Sequence, residues 1–330
     1  MNLFKQVAPF EKPAGILKLL HEGNQKITEM EDSEHGFLCG LIRDHRPKNI
    51  VEVGVAEGGT TAIILNCIHE LSLDCTLTSI DLSERLYYDD TKETAWALKK
   101  AARLKPEAFD LSKHKLVLGN VLPVWLARIP KKSIDFLILD TMHVMPGEVL
   151  DFIAAFPYLT ENAVVVLHDV KYNYVSGYAN GIATTVLFQS VAADRFLNNQ
   201  AEYPNIGAFQ LNADTEKYMG NLFTALITTW SYLPEEKHLR EYEESFAANY
   251  PAEYLRVYRQ ALEEARRFFA NQAGNQPAPV YADNRSGARK FADKLLPKGS
   301  RRRNLAKKIL PKGSKRWSFC KKVYYNTFKR

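Results

Sequence analysis

Four short stretches of this chain hold side chains able to do chemistry. Asp81 closes a run that begins at Cys75. Asp140 and His143 follow the apolar run 134–139, and His168 and Asp169 follow the run 163–167. Carboxylates and imidazoles exchange protons and also bind divalent ions. The fourth stretch, Glu52-x-Gly54-x-Ala56-x-Gly58-Gly59, sets an acid and small residues at alternate places. Its glycines allow a tight turn in which backbone comes close to a ligand. Thr60 and Thr61 then open an apolar run to Leu65 that reads as a helix. Strand, glycine turn and helix N-terminus together make a nucleotide-type binding site. A glycine turn also occurs in other α/β domains, so the companion residues decide.

Rigid elements must carry these groups. Ile50, Val51, Val53 and Val55 suit a strand buried on both faces. Further strands are expected at 75–81, 115–119, 133–140 and 163–167, with helices between them. This alternation predicts an α/β fold, a Rossmann-like, doubly wound, mostly parallel sheet. Ligands of such sheets bind at the carboxyl ends of strands, and Asp81, Asp140, His143, His168 and Asp169 all fall there. Asp81 can accept hydrogen bonds from both hydroxyls of a ribose; its plainer reading is a turn or N-cap residue. Residues 205–211 alternate like a half-exposed strand that completes the sheet antiparallel to its neighbours. Leu159 to Asn162 reads as a turn before the fifth strand. A helix from Ser33 to Pro47 leads into the first strand, with His35 and His45 expected at the surface. Residues 82–113 read as an insertion at a substrate entrance or as a solvated connecting helix.

Glu52-x-Gly54-x-Ala56-x-Gly58 resembles motif I (E/D-x-G-x-G-x-G) of class I S-adenosylmethionine-dependent methyltransferases, with Ala56 at the middle glycine. The resemblance implies that fold and that cofactor. The turn (Gly54, Ala56, Gly58, Gly59) would pack on the methionine part, and Glu52 would reach its ammonium through polar contacts. Asp81 would hold the ribose, Asn120 the adenine edge, and Asp140 would stand beside the cofactor. Asp140-x-x-His143, with His168-Asp169 beginning 28 residues after Asp140, is similar to the site of a group that includes macrolide-sugar O-methyltransferases. Related domains occur in bacterial surface-polysaccharide gene sets. In metal-dependent members, Asp140 and an acidic pair at 168–169 would bind magnesium, and His143 would be the general base. Here His168 replaces an acid, and imidazole is a poor magnesium ligand. Asp140 and Asp169 remain for Mg²⁺ or another divalent cation, or the site works without metal. Either His143 or His168 serves as base, the other orienting substrate.

The net charge of +6 conceals two opposite bodies. Residues 285–330 hold 17 Lys and Arg against Asp293 alone, while residues 1–284 carry a net −10. In this tail the segment Leu296–Arg303 recurs as Leu310–Trp317 with a period of 14 residues. Basic residues interleaved with Trp317, Phe319, Tyr324 and Tyr325 suit an anionic membrane surface. Nucleic acid is the rival ligand of such charges, disfavoured by the acidic body. The expected organisation is an N-terminal helical cover (1–34), a cofactor-binding domain (35–214), an aromatic-rich helical extension (215–271), a linker (272–287) and a basic amphipathic tail (288–330). Tyr250, Tyr254 and Tyr258 fit one helix face, as packing, a sugar platform or a homo-oligomer contact. Cys39, Cys67, Cys75 and Cys320 lack C-x-x-C pairing and read as reduced core thiols. With no secretory signal or membrane-length apolar run, the expected location is cytoplasmic, peripheral at the inner membrane face. The expected function is O-methylation of a sugar hydroxyl in a surface glycan or its precursor. The alternatives are an RNA methyltransferase and a non-catalytic cofactor-binding scaffold in a glycan-assembly complex.

Overall fold

The structure is a computed structural model that describes residues 4–20, 26–198 and 204–272. The basic tail, its repeat, Cys320 and the linker after Gln272 lie outside the described residues. The strands are β1 (Asn49–Val53), β2 (Thr76–Asp81), β3 (Arg85–Leu86), β4 (Asp89–Glu93), β5 (His114–Leu118), β6 (Ile134–Leu139), β7 (Leu159–Leu167), β8 (Asp194–Leu197) and β9 (Gly207–Gln210). The helices are α1 (Asp32–His45), α2 (Gly59–Glu70), α3 (Trp96–Leu104), α4 (Leu122–Leu126), α5 (Gly147–Ala155), α6 (Tyr172–Val175), α7 (Ala183–Ser190), α8 (Ala213–Lys217), α9 (Gly220–Ala225), α10 (Glu236–Asn249) and α11 (Ala252–Gln272).

Seven strands form one sheet in the order β5-β2-β1-β6-β7-β9-β8. β9 pairs antiparallel with both neighbours, and the other pairings are parallel. This is the sheet of the class I methyltransferase fold. Alternation along the strands divides the core into two layers. Val51, Val53, Leu137, Leu139, Val165 and Leu167 join one cluster with residues of α4, α5, α7 and α9 to α11. Ile50, Phe136, Ile138, Val164 and Val166 join the other with residues of α1, α2 and α3. Both faces are covered, so the strands are apolar runs rather than half-polar ones. The chain leaves β1 for β2 on one side and later returns to β6 on the other. The crevice between the ends of β1 and β6 is therefore the topological switch point.

Four expectations change. His35 is buried, 1% exposed, and that burial lowers its pKa to about 4. His45 is half-buried with its ring edge-on to Phe196. Leu159–Asn162 belongs to β7: the register against β6 slips between Ile134 and Phe136, so a bulge absorbs the polar residues. The strand β8 was not foreseen, because Asp194 and Arg195 make a charged edge. The expected N-terminal cover is a short 3-10 helix over Lys12–Leu19, packed on α1 and α2. The aromatic extension packs inward. Tyr258 is fully buried, Tyr254 stacks on Phe223 at 4.9 Å, and the Tyr250 hydroxyl donates to the Ile153 carbonyl. Cys39, Cys67 and Cys75 are buried free thiols.

Candidate active site

The glycines of the turn after β1 make room for protein. Gly54 has φ +93°, and a Cβ there would lie 1.8 Å from the Asp140 carbonyl oxygen. A Cβ on Gly59 would lie 2.0 Å from the Ile27 carbonyl, and one on Gly58 2.8 Å from the Ala95 backbone. Chain segments thus close on the Cβ side of these glycines. Ala56, at φ 45°, holds a left-handed conformation that costs a non-glycine residue energy.

Asp81 ties this turn to the end of β2. Its Oδ2 accepts the Val55 and Ala56 amides at 2.9 and 3.1 Å, and its Oδ1 accepts the Ser83 amide at 2.8 Å. Oδ2 thus already accepts two donors, and Oδ1 keeps capacity for one more. Asn120 is exposed just beyond β5, where the Gly119 amide donates to the Asp81 carbonyl. The turn, Asp81, Asn120 and Asp140 therefore line the carboxyl ends of β1, β2, β5 and β6, four consecutive strands in the sheet.

Glu52 stands apart from that line. It is 1% exposed, and its Oε2 accepts the Ser79 hydroxyl at 2.6 Å and the Thr61 hydroxyl at 2.8 Å. Burial raises its pKa to about 8 against those two hydrogen bonds, with the nearby charges of Asp140 and Asp81 adding to the rise. The unfolded chain ionises Glu52 near 4.5 while the folded chain keeps the proton to about 8. Wild-type stability therefore falls as pH climbs through that window and is level on either side. Glu52→Gln, which mimics the protonated acid, is expected to remove this slope. Urea denaturation at pH 5 and pH 9 should show the variant gaining on wild type by about 2–4 kcal/mol at the higher pH. An unchanged difference would refute the buried proton.

Residues 85–97 lie over the turn. The amides of Ala95 and Ala97 donate to the carbonyls of Ala56 and Glu57 at 2.8 Å each. Tyr87 donates to Glu29 at 3.0 Å and Tyr88 to the buried Glu57. These residues form the hairpin β3–β4 followed by the start of α3.

Beyond the ends of β6 and β7 a charged cluster closes around two imidazoles. His168 Nδ1 lies 3.0 Å from Asp140 Oδ1, and its Nε2 lies 3.2 Å from Glu34 Oε2. His143 Nε2 lies 3.1 Å from Asp169 Oδ2 and 3.5 Å from Asp140 Oδ1, while its Nδ1 lies 3.3 Å from Glu148 Oε1. Asn205 donates to Asp169. His143 and Asp169 both sit at φ 59°, a left-handed conformation unusual for such residues. The Tyr172 ring packs tilted against His143, with centroids 5.3 Å apart. Gly181 leaves room for that ring, since a Cβ there would fall 2.2 Å from it.

The electrostatics follow from burial set against opposite charge. Burial opposes charge on His168, yet Asp140, Glu34 and Asp169 outweigh it and hold the ring well above the usual imidazole range. Burial likewise opposes charge on His143, and Glu148, Asp169 and Asp140 raise it. Asp140 would be pushed up by burial, but His168 and His143 hold it below the usual carboxylate range. Glu148 is lowered in the same way by His143. Asp169 is raised, burial exceeding the pull of the histidines.

All the residues expected at the strand ends except Asp81 are thus drawn into one cluster, with Glu34, Glu148 and Asn205 added. Sequence reading missed those three. Glu148 carried a signal, being an acid in a helix whose every residue is buried. Asp140 and Asp169 do converge, as metal ligands would, but two imidazoles converge with them. That donor set does not fit Mg²⁺, which takes hard oxygen ligands in an octahedron.

Residues 51–170 match a family model described as a methyltransferase domain. No curated protein sequence matches the chain. Solved structures similar in fold include an O-methyltransferase from Bacillus cereus in complex with SAH, 14% identical over 61% of this chain and 92% of that one, with TM-score 0.43. The O-methyltransferase TomG of Streptomyces achromogenes, in complex with SAM and involved in tomaymycin synthesis, is 15% identical over 62% and 92%, with TM-score 0.44. The SAH-bound methyltransferase PaMTH1 of Podospora anserina is 13% identical over 61% and 86%, with TM-score 0.43. The match to a methyltransferase domain thus runs from β1 to the end of β7 of this Rossmann-like sheet.

Proposed function

We propose that this chain is an S-adenosylmethionine-dependent O-methyltransferase acting on a sugar hydroxyl of a bacterial cell-surface glycan or its lipid-linked precursor. One juxtaposition carries the reading. The carbonyl of Asp140 seals Gly54, so the cluster that handles protons borders the turn suited to the methyl donor. The turn from Gly54 to Gly58, Asp81, Asn120 and Asp140 would hold that donor, which supplies an electrophilic methyl group on a sulfonium. A sugar hydroxyl is a poor nucleophile at neutral pH, so its proton must leave as the new bond forms. Asp140, His143 and Asp169 face the cleft and provide the floor to which that proton goes. The remaining task is positioning.

The mouth of the cleft favours an uncharged, hydroxyl-rich acceptor. Tyr87 and Tyr88 are exposed at 63% and 39%, and Glu29 and Glu57 accept the hairpin hydroxyls. Aromatic faces with acids behind them suit sugar rings and repel a polyphosphate chain. The test supplies labelled methyl donor with soluble glycan, lipid-linked glycan and RNA. Label recovered as an O-methyl sugar after hydrolysis is the expected result. Label in RNA would contradict the acceptor, and donor binding with no transfer to any fraction would favour a scaffold.

The charge of residues 285–330, interleaved with aromatics, supports peripheral attachment of this enzyme to an anionic membrane surface. No helix among the described residues is long and apolar enough to cross a membrane. The full chain should sediment with phosphatidylglycerol vesicles and not with phosphatidylcholine vesicles. Sedimentation with neither, or equally with both, would remove the attachment.

A further inference from the structure

We propose that the folded domain itself docks on an anionic lipid surface through α3 and the turn that follows it. Leu104 and Leu111 enter the headgroup layer, and the cations around them meet lipid phosphates. This face is separate from the basic tail; only the purpose of docking, access to a lipid-linked acceptor, rests on the function proposed above. The segment 92–115 holds seven Lys and Arg against three acids, in a body whose residues 1–284 carry a net −10. One sign gathered against the sign of the whole makes a local positive field.

The helix explains how that charge is presented. Ala97, Leu98 and Ala101 are buried and seat α3 on α2. The opposite arc carries Trp96, Lys99, Lys100 and Arg103, spaced at three and four residues. Lys92 Nζ, from β4, stands 4.4 Å from the centre of the Trp96 ring. Arg103 Nε donates to the Lys99 carbonyl at 3.3 Å. Lys92, Trp96, Lys99, Arg103 and Leu111 line an open groove of about 840 Å³. Two of the three acids are engaged within the segment. Glu93 pairs with Lys99 at 2.7 Å, and Asp110 accepts the amide and the hydroxyl of Ser112. Lys113 is held in turn by Asp74 at 3.0 Å.

Charge alone would make a solvated helix face, and two leucines argue otherwise. Leu104 ends α3 at 54% exposure, and Leu111 begins the short turn before β5 at 48%. Neither joins a buried cluster, although Leu98 and Phe109 close by in the chain do. Apolar tips set among cations, with an indole beside them, match the boundary of a bilayer. There leucine reaches the acyl edge, tryptophan sits at headgroup level and lysine stems extend to phosphate. A nucleic acid would reward the cations and not the leucines.

The test uses the full-length protein and a polarity-sensitive thiol dye. Cys39, Cys67 and Cys75 are buried, so the dye reports Cys320 in wild type. With Cys320→Ser it reports Leu104→Cys or, as a control on α11, Glu263→Cys. Phosphatidylglycerol vesicles should shift the emission of the Leu104→Cys label to the blue. Phosphatidylcholine vesicles and RNA should leave it unchanged, and the Glu263→Cys label should respond to none of the three. Lys99→Glu with Arg103→Glu should weaken the response to phosphatidylglycerol about 10–100-fold, with the urea midpoint near that of wild type. No shift of the Leu104→Cys label, an equal shift of the Glu263→Cys label, or a shift given by RNA alone would overturn the proposal. A shift at Cys320 without one at Leu104→Cys would fell this face and keep the tail's attachment, and the reverse would fell the tail's attachment alone.

Discussion

Gly54→Ala is expected to unfold the protein or to leave it barely stable, with a loss of about 3–5 kcal/mol in urea denaturation. Two independent costs add at this position. The backbone is at φ +93°, a conformation that a side chain makes unfavourable, and the new methyl would sit 1.8 Å from the Asp140 carbonyl oxygen. That carbonyl cannot withdraw freely, because the Asp140 amide is bonded to the Val53 carbonyl at 2.9 Å and the His168 amide to Leu139. Any relief must therefore pull the end of β6 away from β1. The Asp140 side chain would move with it, so a surviving fraction should also lose activity. A variant as stable as wild type would refute the close approach of the two strand ends.

His143→Ala should lower the rate of methyl transfer by about 10²–10⁴-fold while leaving donor affinity within a few-fold of wild type. The imidazole lies on the cleft floor between Asp140 and Asp169, and its removal leaves those carboxylates without the positive group that separates them. The turn after β1 is held by Asp81 and by β6, neither of which depends on the ring. Single-turnover transfer, measured beside calorimetric donor binding, separates the two effects. Equal losses in both would place His143 in donor binding instead.

Much of this arrangement was legible in the sequence, for a physical reason. Strands covered on both faces must be apolar throughout, so β1, β6 and the second half of β7 announce themselves, and the acids and histidines at their ends are conspicuous. The partners that complete the cluster are less visible. Glu34 meets His168 across 134 residues of chain, and nothing local to α1 marks it as an inward acid. Its capping role, accepting the Glu31 amide, is what a sequence reader would assign it. His35 misleads similarly, since its burial depends on the packing of α1 against the loop at Thr28. The motif glycines were legible as a turn, but the chain segments packed against them were not. The Gly54 and Gly59 Cβ positions are closed by carbonyls from elsewhere in the chain, a tertiary contact that no spacing reveals. Glu52 matches a motif position, yet Ser79 and Thr61 enclose it behind the turn.

The measurement that bears most directly on the whole account is calorimetric titration of the folded protein with S-adenosylmethionine and S-adenosylhomocysteine, on wild type and Asp81→Ala. Saturable binding of both by wild type, weakened at least tenfold in the variant, is the predicted result, because Asp81 both anchors the turn amides and offers the carboxylate for a ribose. A folded wild type that binds neither compound would contradict a methyl-transfer function at this cleft.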